Sequence, residues 1–558
     1  MSAIKIISIE GLNLLQHDRS YKKLLEKKKA PPPVENLGDF IQFGYYSIFI
    51  IILYEMLLLP QMTNMTFMIY GGYAPKLMSC GNHSLSHFAK NADACAELKQ
   101  IRNATDCVPK LESEFGSLAY EFGYYCDRIV DVKKSISAQM FGVLCGSLTF
   151  GQMSDLFGRK RIMLITHFGM FVLNYVASFA NSLSQFTTIQ FATMFFVGGH
   201  NTIMHVFLLE NMPKRLRVLV LTALSYSPNY IIFAGIAYLA AEWRTLLTII
   251  SFLNIPAFIG LLFAFESPRW LIQKARLETA KTVLTKIERF NGTGTEDRLK
   301  VLDDLIEREV QANESKKRNR KYYFYHLFYT RKMCFYTGII SYALLSTSVL
   351  SYALIFNMEH LSGSIYLNSA FFGLFRYSMN LFVGSMDYFV PRVGRKTIHK
   401  CALSFIVFML SVVFISKLSQ WEDANLLRVT TLSAAAMCSQ LYLVYAVVTS
   451  ELFPTAIRNL AASFVQIASR TGAVMAPHVF YLAMYWAPLP FLVMLLPMVV
   501  NLLLFSTFIP ETKNSPMVDH MPDPSERIFS KVKSTEMKRL TRKGFDVAPS
   551  SAKLTEEC

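Results

Sequence analysis

Long apolar blocks alternate with short charged segments along this chain. A membrane-spanning helix needs roughly 20 mostly apolar residues, and about twelve blocks of that length can be read in the sequence. The first six lie near residues 41–62, 134–152, 162–180, 185–209, 217–240 and 245–265. The other six lie near residues 333–356, 366–390, 397–416, 427–450, 459–483 and 486–509. The pattern predicts an all-α membrane protein with twelve transmembrane helices.

The composition fits a membrane protein better than a nucleic-acid-binding one. Of the 558 residues, 52% are hydrophobic and 17% are charged, whereas soluble domains carry about 25% charged residues. The net charge of +16 could indicate a nucleic-acid partner, but the basic residues border the apolar blocks, where membrane topology explains them. We therefore expect a lipid bilayer as a partner and no nucleic acid.

The distribution of Lys and Arg predicts the topology. Basic clusters precede the first block and fill the long segment after the sixth, so both are expected to be cytoplasmic. The predicted organisation is a cytoplasmic tail (1–40), a six-helix half (41–265) with an outer loop at about 70–133, a cytoplasmic linker (266–332), a second half (333–509) and a disordered cytoplasmic tail (510–558). The linker has the pattern of amphipathic helices that brace the halves, although a solvated linker is the alternative.

The outer loop carries two features of extracellular or lumenal segments. Four cysteines, Cys80, Cys95, Cys107 and Cys126, predict disulfides, and three pairings are possible. Asn82 and Asn103 begin N-glycosylation sequons. Both features agree with an outer loop and with cytoplasmic termini.

Three polar motifs recur about 240 residues further along the chain. The segment "ENMPKRLR", Glu210 to Arg217, recurs as "ELFPTAIR", Glu451 to Arg458. "GRK" occurs at 158–160 and again at 394–396, and "FESPR" with Glu266 and Arg269 has a counterpart in "IPETK" with Glu511. Because three pairs recur in the same order, the second half repeats the first. Parallel repeats of six helices predict the major facilitator fold.

The loop "GQMSDLFGRKR" combines glycines, an acid and cations between two apolar blocks. Gly151 would let two helices approach closely, and Gly158 would permit a tight turn. Because the positive-inside rule does not require carboxylates, we interpret them as gate contacts that form in one state and break in another. The predicted gating residues are Gly151, Asp155, Gly158, Arg159, Glu210, Arg217, Glu266, Arg269, Glu451, Arg458 and Glu511. In the second copy Pro391 replaces the counterpart of Asp155 and Asp387 aligns with Gly151, so an asymmetric gate is expected.

The same loop resembles the Gly-x-x-x-Asp-x-x-Gly-Arg-Lys motif of major facilitator transporters. "ESPRWL", "ELFPTAIRNLA", "SGSIYLN" and a cysteine-bearing outer loop that ends in "YCDR" resemble the organic cation, organic anion and carnitine transporter branch. The resemblance extends from about Gly38 to Met517. It implies a multi-pass protein of the plasma membrane that moves small organic ions by alternating access, by secondary-active or facilitative transport.

Ionisable residues within the spans are the candidates for substrate binding, because they are costly at that depth. Glu55, Arg376 and Arg470 are the main ones. Arg470 matches a position that is Arg in the anion and carnitine transporters of the resembled branch and Asp in the cation transporters, whereas Arg376 falls where that branch generally has an acid. Tyr352 and Tyr445 match positions where it keeps tyrosine. The two arginines favour anionic or zwitterionic substrates, with organic cations or carnitine as the alternative.

Enzymatic chemistry has no sequence signature here. No HExxH, GxSxG, Walker or metal-binding Cys/His pattern occurs, so we predict no catalytic residues, no cofactor and no metal. The alternative of another class is a transport-inactive sensor with the same fold. The oligomeric state is not encoded in any pattern that we can read.

Overall fold

The computed structural model describes residues 40, 42–86, 88, 91–104, 107–213, 220, 226–293, 296–315, 324–390, 393–421, 423–454 and 457–513. Helices lie at the positions of all the predicted spans in these ranges. By length and composition, seven helices of the described part are able to cross a membrane.

The chain after the first span forms a small mixed segment on the predicted outer side. The elements in chain order are α1 (Tyr45–Thr66), α2 (Met68–Gly71), β1 (Lys76–Cys80), β2 (His83–Ser84), α3 (Asn91–Ala104), β3 (Pro109–Glu112), α4 (Leu118–Glu121) and a 3₁₀ turn at Cys126–Arg128. The three strands form an antiparallel sheet in the order β2–β1–β3. Leu77, Leu85 and Leu98 are buried in a small apolar cluster beside it.

Two disulfides close this outer segment, as the cysteine pattern predicts. Cys80 bonds to Cys107 and Cys95 bonds to Cys126, with a Cα–Cα distance of 5.6 Å in each pair. The closed loops restrict the unfolded chain of a segment whose own apolar cluster is small. Asn82 and Asn103, the predicted glycosylation sites, are both exposed.

Glycines set the closest helix packing in the first half. Its spans continue as α5 (Ile129–Phe157), α6 (Arg159–Ala177), α7 (Leu183–Asn211), α8 (Tyr226–Ala240) and α9 (Trp243–Phe263). A Cβ atom on Gly146 would lie 1.7 Å from the backbone oxygen of Phe195, and one on Gly198 would lie 2.2 Å from that of Val143. Only glycine therefore allows the backbones of α5 and α7 to touch.

This close approach does not occur at Gly151, where the sequence predicts it. A Cβ atom on Gly151 would meet only the Thr202 Cγ2 atom, at 3.6 Å, which is an ordinary contact. The tight position is Gly146, more than one turn earlier, and Gly142 precedes it by four residues. Together they form a Gly-x-x-x-Gly pattern, which is the sequence signal for such a contact.

Arg244, at the start of α9, joins three outer segments of the first half. Its guanidinium binds Glu121 (Nη2–Oε1 2.6 Å) and donates to the backbone oxygens of Ser178 and Ala180 at 2.7 and 2.8 Å. Burial raises the pKa of Glu121, but the hydrogen bonds from Arg244 and Trp243 and the arginine charge outweigh burial and hold that pKa below its ordinary value. The stabilisation is therefore present at neutral pH and is lost as the pH falls through the lowered pKa.

The chain divides into two compact units. The linker unit comprises Met1–Ile48, Glu210–Lys214 and Pro268–Arg318, and the spanning unit comprises Phe49–Leu209, Arg215–Ser267 and Asn319–Cys558. The linker unit contains α10 (Pro268–Gln273), α11 (Leu277–Asn291) and α12 (Glu296–Ser315). Phe40, Leu284 and Leu302 are buried together there, and Arg298 binds Glu288 at 2.9 Å. The described residues of the linker unit therefore form helices that pack on one another.

The second half contains six long helices in its described part. They are α13 (Arg331–Phe356), α14 (Ile365–Phe389), α15 (Arg395–Leu418), α16 (Ala424–Leu452), α17 (Arg458–Met475) and α18 (Leu489–Phe508), with 3₁₀ segments at Phe324–Phe328, Met358–His360 and Ala476–Met484. Gly472 allows α17 to approach α13, because a Cβ atom there would lie 2.5 Å from the backbone oxygen of Leu345. One continuous apolar core extends through both halves of the spanning unit.

We predict N-glycans on Asn82 and Asn103 and none on Asn313, whose sequon lies in the predicted cytoplasmic linker. Endoglycosidase treatment of protein from transfected cells should increase its electrophoretic mobility. Asn82→Gln and Asn103→Gln should each remove one glycan, and Asn313→Gln is the matched control. A glycan that is lost in Asn313→Gln would contradict the predicted topology.

Candidate functional site

Two glutamates, one in each half, cap the helix that follows a loop on the predicted cytoplasmic side. The Oε1 atom of Glu266 accepts hydrogen bonds from the backbone N–H groups of Arg159, Lys160 and Ser267, each at 3.0 Å. The bonds from Arg159 and Lys160 satisfy N–H groups at the N-terminus of α6, which have no partner inside the helix. Gly158, just before α6, has φ +114°, a backbone conformation that favours glycine.

Glu511 forms the equivalent cap in the second half. Its carboxylate accepts the backbone N–H groups of Arg395 at 2.8 Å and Lys396 at 3.1 Å, at the start of α15. Gly394 gives the carboxylate room, since a Cβ atom there would lie 2.0 Å from Glu511 Oε2. Sequence spacing predicts that Glu266 and Glu511 are counterparts in the two repeats. Both carboxylates accept the first backbone N–H groups of a helix.

Each half also pairs an arginine with an aspartate at this end. In the first half the guanidinium of Arg159 bonds to Asp155 and, at 3.2 Å, to the Ser154 hydroxyl. The Arg159 side chain is 7% exposed, but that of Asp155 is 64% exposed. Water therefore screens one partner of this contact.

The second half has a more buried carboxylate at this end. Asp387 binds Arg395 at 2.5 Å and Lys513 at 3.1 Å, and its side chain is 24% exposed. Lys513 also donates to the backbone oxygens of Val390 and Val393 at 3.4 and 2.7 Å, near the C-terminus of α14. Glu451 approaches the same arginine, with 3.9 Å between Arg395 Nε and Glu451 Oε1.

The second copy of the loop is therefore rearranged and keeps its ion pair. Alignment with the first loop puts Pro391 opposite Asp155, which predicts a missing acid, and Pro391 lies outside the described residues. Asp387, one helical turn earlier, takes the place of that acid beside Arg395. Because residues four apart share a helix face, a shift of four keeps the carboxylate on the same side of the helix.

Three other predicted gating residues lie within described helices. Arg458 is the first residue of α17 and is half-buried. Glu210, near the end of α7, and Arg269, in α10, are half-buried and belong to the linker unit. Arg217 lies outside the described residues.

Two arginines and several tyrosines come together between the halves of the spanning unit. The Arg376 guanidinium carbon, on α14, lies 5.7 Å from the centre of the Tyr230 ring and 6.0 Å from that of Phe372. Arg470, on α17, acts electrostatically on Tyr226 and Tyr442. Among the described residues, no carboxylate oxygen lies within 4.0 Å of either guanidinium.

Tyr352 belongs to the same cluster. Its hydroxyl interacts electrostatically with those of Tyr226, Tyr230 and Tyr442. It stacks on Phe356 with 5.8 Å between the ring centres. We call the set formed by Arg376, Arg470, Tyr226, Tyr230, Tyr352 and Tyr442 the arginine cluster. The sequence predicts only three of its members, although Tyr226 and Tyr230 are four residues apart, which puts them on one face of α8.

A hydrogen-bonded chain extends from this cluster into the first half. Tyr54 bonds to His205 Nδ1 at 2.7 Å, His205 Nε2 bonds to the Tyr226 hydroxyl at 2.9 Å, and Tyr226 donates to Asn201 at 2.7 Å. Because Tyr226 uses its only proton on Asn201, it accepts from Nε2–H of His205. In a neutral imidazole the Nδ1 atom is then the acceptor for Tyr54.

Two predicted substrate residues lie elsewhere. Tyr445 is fully buried, and its hydroxyl bonds to Asn501 at 2.8 Å and to His399 at 3.1 Å. It is therefore a packing residue between α15, α16 and α18 and lies outside the candidate substrate site. Glu55 accepts a hydrogen bond from Asn229 at 3.1 Å and lines a separate groove between α1 and α8.

A buried ion pair joins the two halves at the end that is predicted to face outward. Lys133, on α5, binds Glu359 Oε1 at 2.8 Å, and both side chains are 6% exposed. The other carboxylate oxygen accepts the backbone N–H of Ala74 at 2.7 Å. Beside this pair the Ser137 hydroxyl donates to the backbone oxygen of Val474 at 2.9 Å. We call the Lys133–Glu359 contact the outer latch.

The chain is similar in sequence to a family of known transporters. The sequence profile described as "Sugar (and other) transporter" matches residues 90–521. The chain is 26% identical to solute carrier family 22 member 6-A of Xenopus laevis, over 72% of this chain and 71% of the relative. It is 26% identical to organic cation/carnitine transporter 2 of Rattus norvegicus, over 70% of this chain and 68% of the relative.

The fold matches solved transporter structures. The inward-open xylose transporter XylE of E. coli superposes with a TM-score of 0.57 at 15% identity, over 84% of this chain and 97% of that one. This likeness confirms the predicted major facilitator fold. The chain therefore belongs to the sugar (and other) transporter family of the major facilitator superfamily and is a multi-pass membrane transporter related to solute carrier family 22.

Proposed function

We propose that the protein moves small organic anions or zwitterions across the plasma membrane by alternating access between its two halves, with both termini in the cytoplasm. The observation that carries this proposal is the arginine cluster, in which two guanidiniums lie near several tyrosine side chains. Relatives are named as organic cation and carnitine transporters as well as members of solute carrier family 22. The charge of the substrate must therefore be argued from the site.

The charges of the cluster favour a negative group on the substrate. Arg376 and Arg470 have no carboxylate partner within 4.0 Å in the described residues. A cation at about 5 Å from one guanidinium would be repelled by roughly 3 kcal/mol at an effective dielectric constant of 20. A carboxylate or sulfate would instead accept charge-assisted and often bidentate hydrogen bonds.

Glu55 does not neutralise either arginine in this arrangement. Its described hydrogen-bond partner is Asn229, and it lines a different groove. The tyrosine rings leave room for a zwitterion, because an ammonium group is attracted to an aromatic face. Carnitine-like zwitterions are thus the second candidate, and organic cations are the least favoured class.

The contacts at both ends of the spanning unit support alternating access. The outer latch holds the halves together at the predicted outer side, where an opening motion would have to hydrate both of its charges. The charge networks around Asp155 and Asp387 lie at the opposite end, where their contacts would form or break as that end opens. A flux assay on purified protein in liposomes separates a transporter from the remaining alternative, a transport-inactive sensor.

We predict that Arg470→Asp reduces uptake of an aromatic carboxylate at least tenfold, because it replaces a positive partner with a negative one. Competitive uptake in transfected cells should compare the carboxylate, carnitine and a quaternary ammonium ion in wild type and variant. Tyr445→Phe is the control, since Tyr445 lies outside the cluster. Robust ammonium uptake by the wild type that Arg470→Asp leaves unchanged would contradict the anion proposal.

We predict that Asp387→Asn lowers the transport rate more than Asp155→Asn does. The Asp387 carboxylate binds two cations and is 24% exposed, whereas that of Asp155 is 64% exposed, and buried charge pairs are the more costly to break. Uptake should be normalised to the amount of protein at the cell surface. Equal effects of the two variants would show that the rearranged network has no special weight.

We predict that Glu359→Gln favours the outward-open state. The change leaves Lys133 without its buried charge partner, and breaking a buried ion pair costs about 3–5 kcal/mol. In a Ser137→Cys background, a membrane-impermeant thiol reagent should label intact cells at least tenfold faster after Glu359→Gln.

The matched control for the latch is Asp131→Asn. Asp131 pairs with Lys134 at 3.0 Å, but their side chains are 49% and 65% exposed, so removing this charge should not alter the labelling rate. Charge reversal in the double variant Lys133→Glu/Glu359→Lys should restore part of the slow labelling, since the bond from the Ala74 N–H group is lost. Unchanged labelling in Glu359→Gln, or an equal increase in Asp131→Asn, would refute the latch.

A further inference from the structure

We propose that His205 binds the proton that couples transport to a proton gradient, so that the protein carries one proton together with each anion. This inference rests on the proposed anion transport and adds its driving force. His205 lies on α7 and is half-buried, so water reaches part of it. Both of its ring nitrogens face hydroxyl groups: Nδ1 is 2.7 Å from that of Tyr54, and Nε2 is 2.9 Å from that of Tyr226.

The two hydroxyl partners suit both charge states of the imidazole ring, because a tyrosine hydroxyl can either donate or accept a hydrogen bond. In the neutral ring Tyr54 donates to Nδ1, and Tyr226 accepts from Nε2–H. When a proton from water binds the lone pair of Nδ1, Tyr54 turns its own hydroxyl proton away and accepts from Nδ1–H, while the bond to Tyr226 is unchanged. Protonation therefore keeps both contacts, as a group that cycles between two charge states requires.

The charges around His205 make its protonation depend on the anion. The described titratable and charged groups that interact with it are Tyr54 on α1, His200 on α7, Tyr226 on α8 and Arg470 on α17. Among the described residues, no carboxylate oxygen lies within 4.0 Å of its ring nitrogens. An imidazolium is repelled by the Arg470 guanidinium, and an anion bound to that guanidinium would offset the repulsion.

Anion binding and proton binding are therefore thermodynamically linked. If the bound anion raises the proton affinity of His205 by some factor, the protonated protein binds the anion more tightly by the same factor. A monovalent anion and one proton add no net charge to the carrier, so they cross the membrane together without moving charge. A proton gradient then becomes the driving force for the anion.

The other histidines of the spans are less suited to this role. His167 and His200 are 0% exposed, so water does not reach them. The Nε2 atom of His167 bonds to the backbone oxygen of Asn254 at 2.9 Å, and its Nδ1 atom is buried without a hydrogen-bond partner among the described residues. His399 bonds to the Tyr445 hydroxyl at 3.1 Å. Because this pair lies outside the arginine cluster, His399 is the matched control.

The test is transport of benzenesulfonate into liposomes that contain the purified full-length protein. This probe stays ionised at every pH used, so a proton that crosses with it must be bound to the protein. With the membrane potential clamped at zero, an outside pH one unit below the inside pH should accumulate the probe about tenfold, since one unit is a tenfold proton ratio. Exchange of labelled for unlabelled probe at equal pH measures transport without a gradient, and its absence in the wild type would overturn the proposed function itself.

His205→Gln should abolish accumulation and retain exchange, because glutamine offers a donor and an acceptor but does not titrate. His399→Gln should accumulate the probe as the wild type does. A second measurement decides if His205→Gln does not fold: adding benzenesulfonate to wild-type protein in weakly buffered nanodiscs at about pH 6.5, where histidine titrates, should remove protons from solution. Accumulation in His205→Gln equal to wild type, its loss in His399→Gln, or wild-type exchange with neither accumulation nor proton uptake would each overturn the proposal.

Discussion

The free-energy cost of an unpartnered charge in a low-dielectric interior governs where this transporter keeps its ionisable groups. Glu266 and Glu511 satisfy backbone N–H groups at helix starts, Arg395 lies between two carboxylates, and Lys133 is neutralised by Glu359. Against this pattern the exceptions are informative. The guanidiniums of Arg376 and Arg470 lack carboxylate partners in the described residues, which is why a substrate group is assigned to them.

The two halves solve the same problem with different residues. The first half uses an ion pair with one screened partner, whereas the second buries Asp387 between an arginine and a lysine from the segment after α18. The helix caps, by contrast, are equivalent in both halves. The matching caps fix the helix starts in both halves, and we expect the different ion pairs to hold the two predicted cytoplasmic ends with unequal strength.

Sequence spacing predicts the features that depend on position along the chain. The repeat spacing pairs Glu266 with Glu511, and cysteine content predicts the disulfides. The features it misses depend on which face of a helix a residue occupies. Every face of a span is apolar, whether it meets lipid or protein, so periodicity does not reveal that Tyr445 points at His399 or that Glu55 points away from the arginines. A linear alignment puts Asp387 opposite Gly151 and not opposite Asp155, because it does not allow for a shift by one helical turn.

The glycine contact between α5 and α7 has a consequence for how motion is transmitted. Where two backbones touch, as at Gly146 and Phe195, there are no side-chain rotamers to absorb displacement, and the close-packed interior resists compression. The pair of helices then behaves as a stiff lever. We expect a displacement at the end where Lys133 lies to reach the opposite end, near Arg159, without being absorbed by side-chain rearrangement. Even an added methyl group at Gly146 would force the two helices apart.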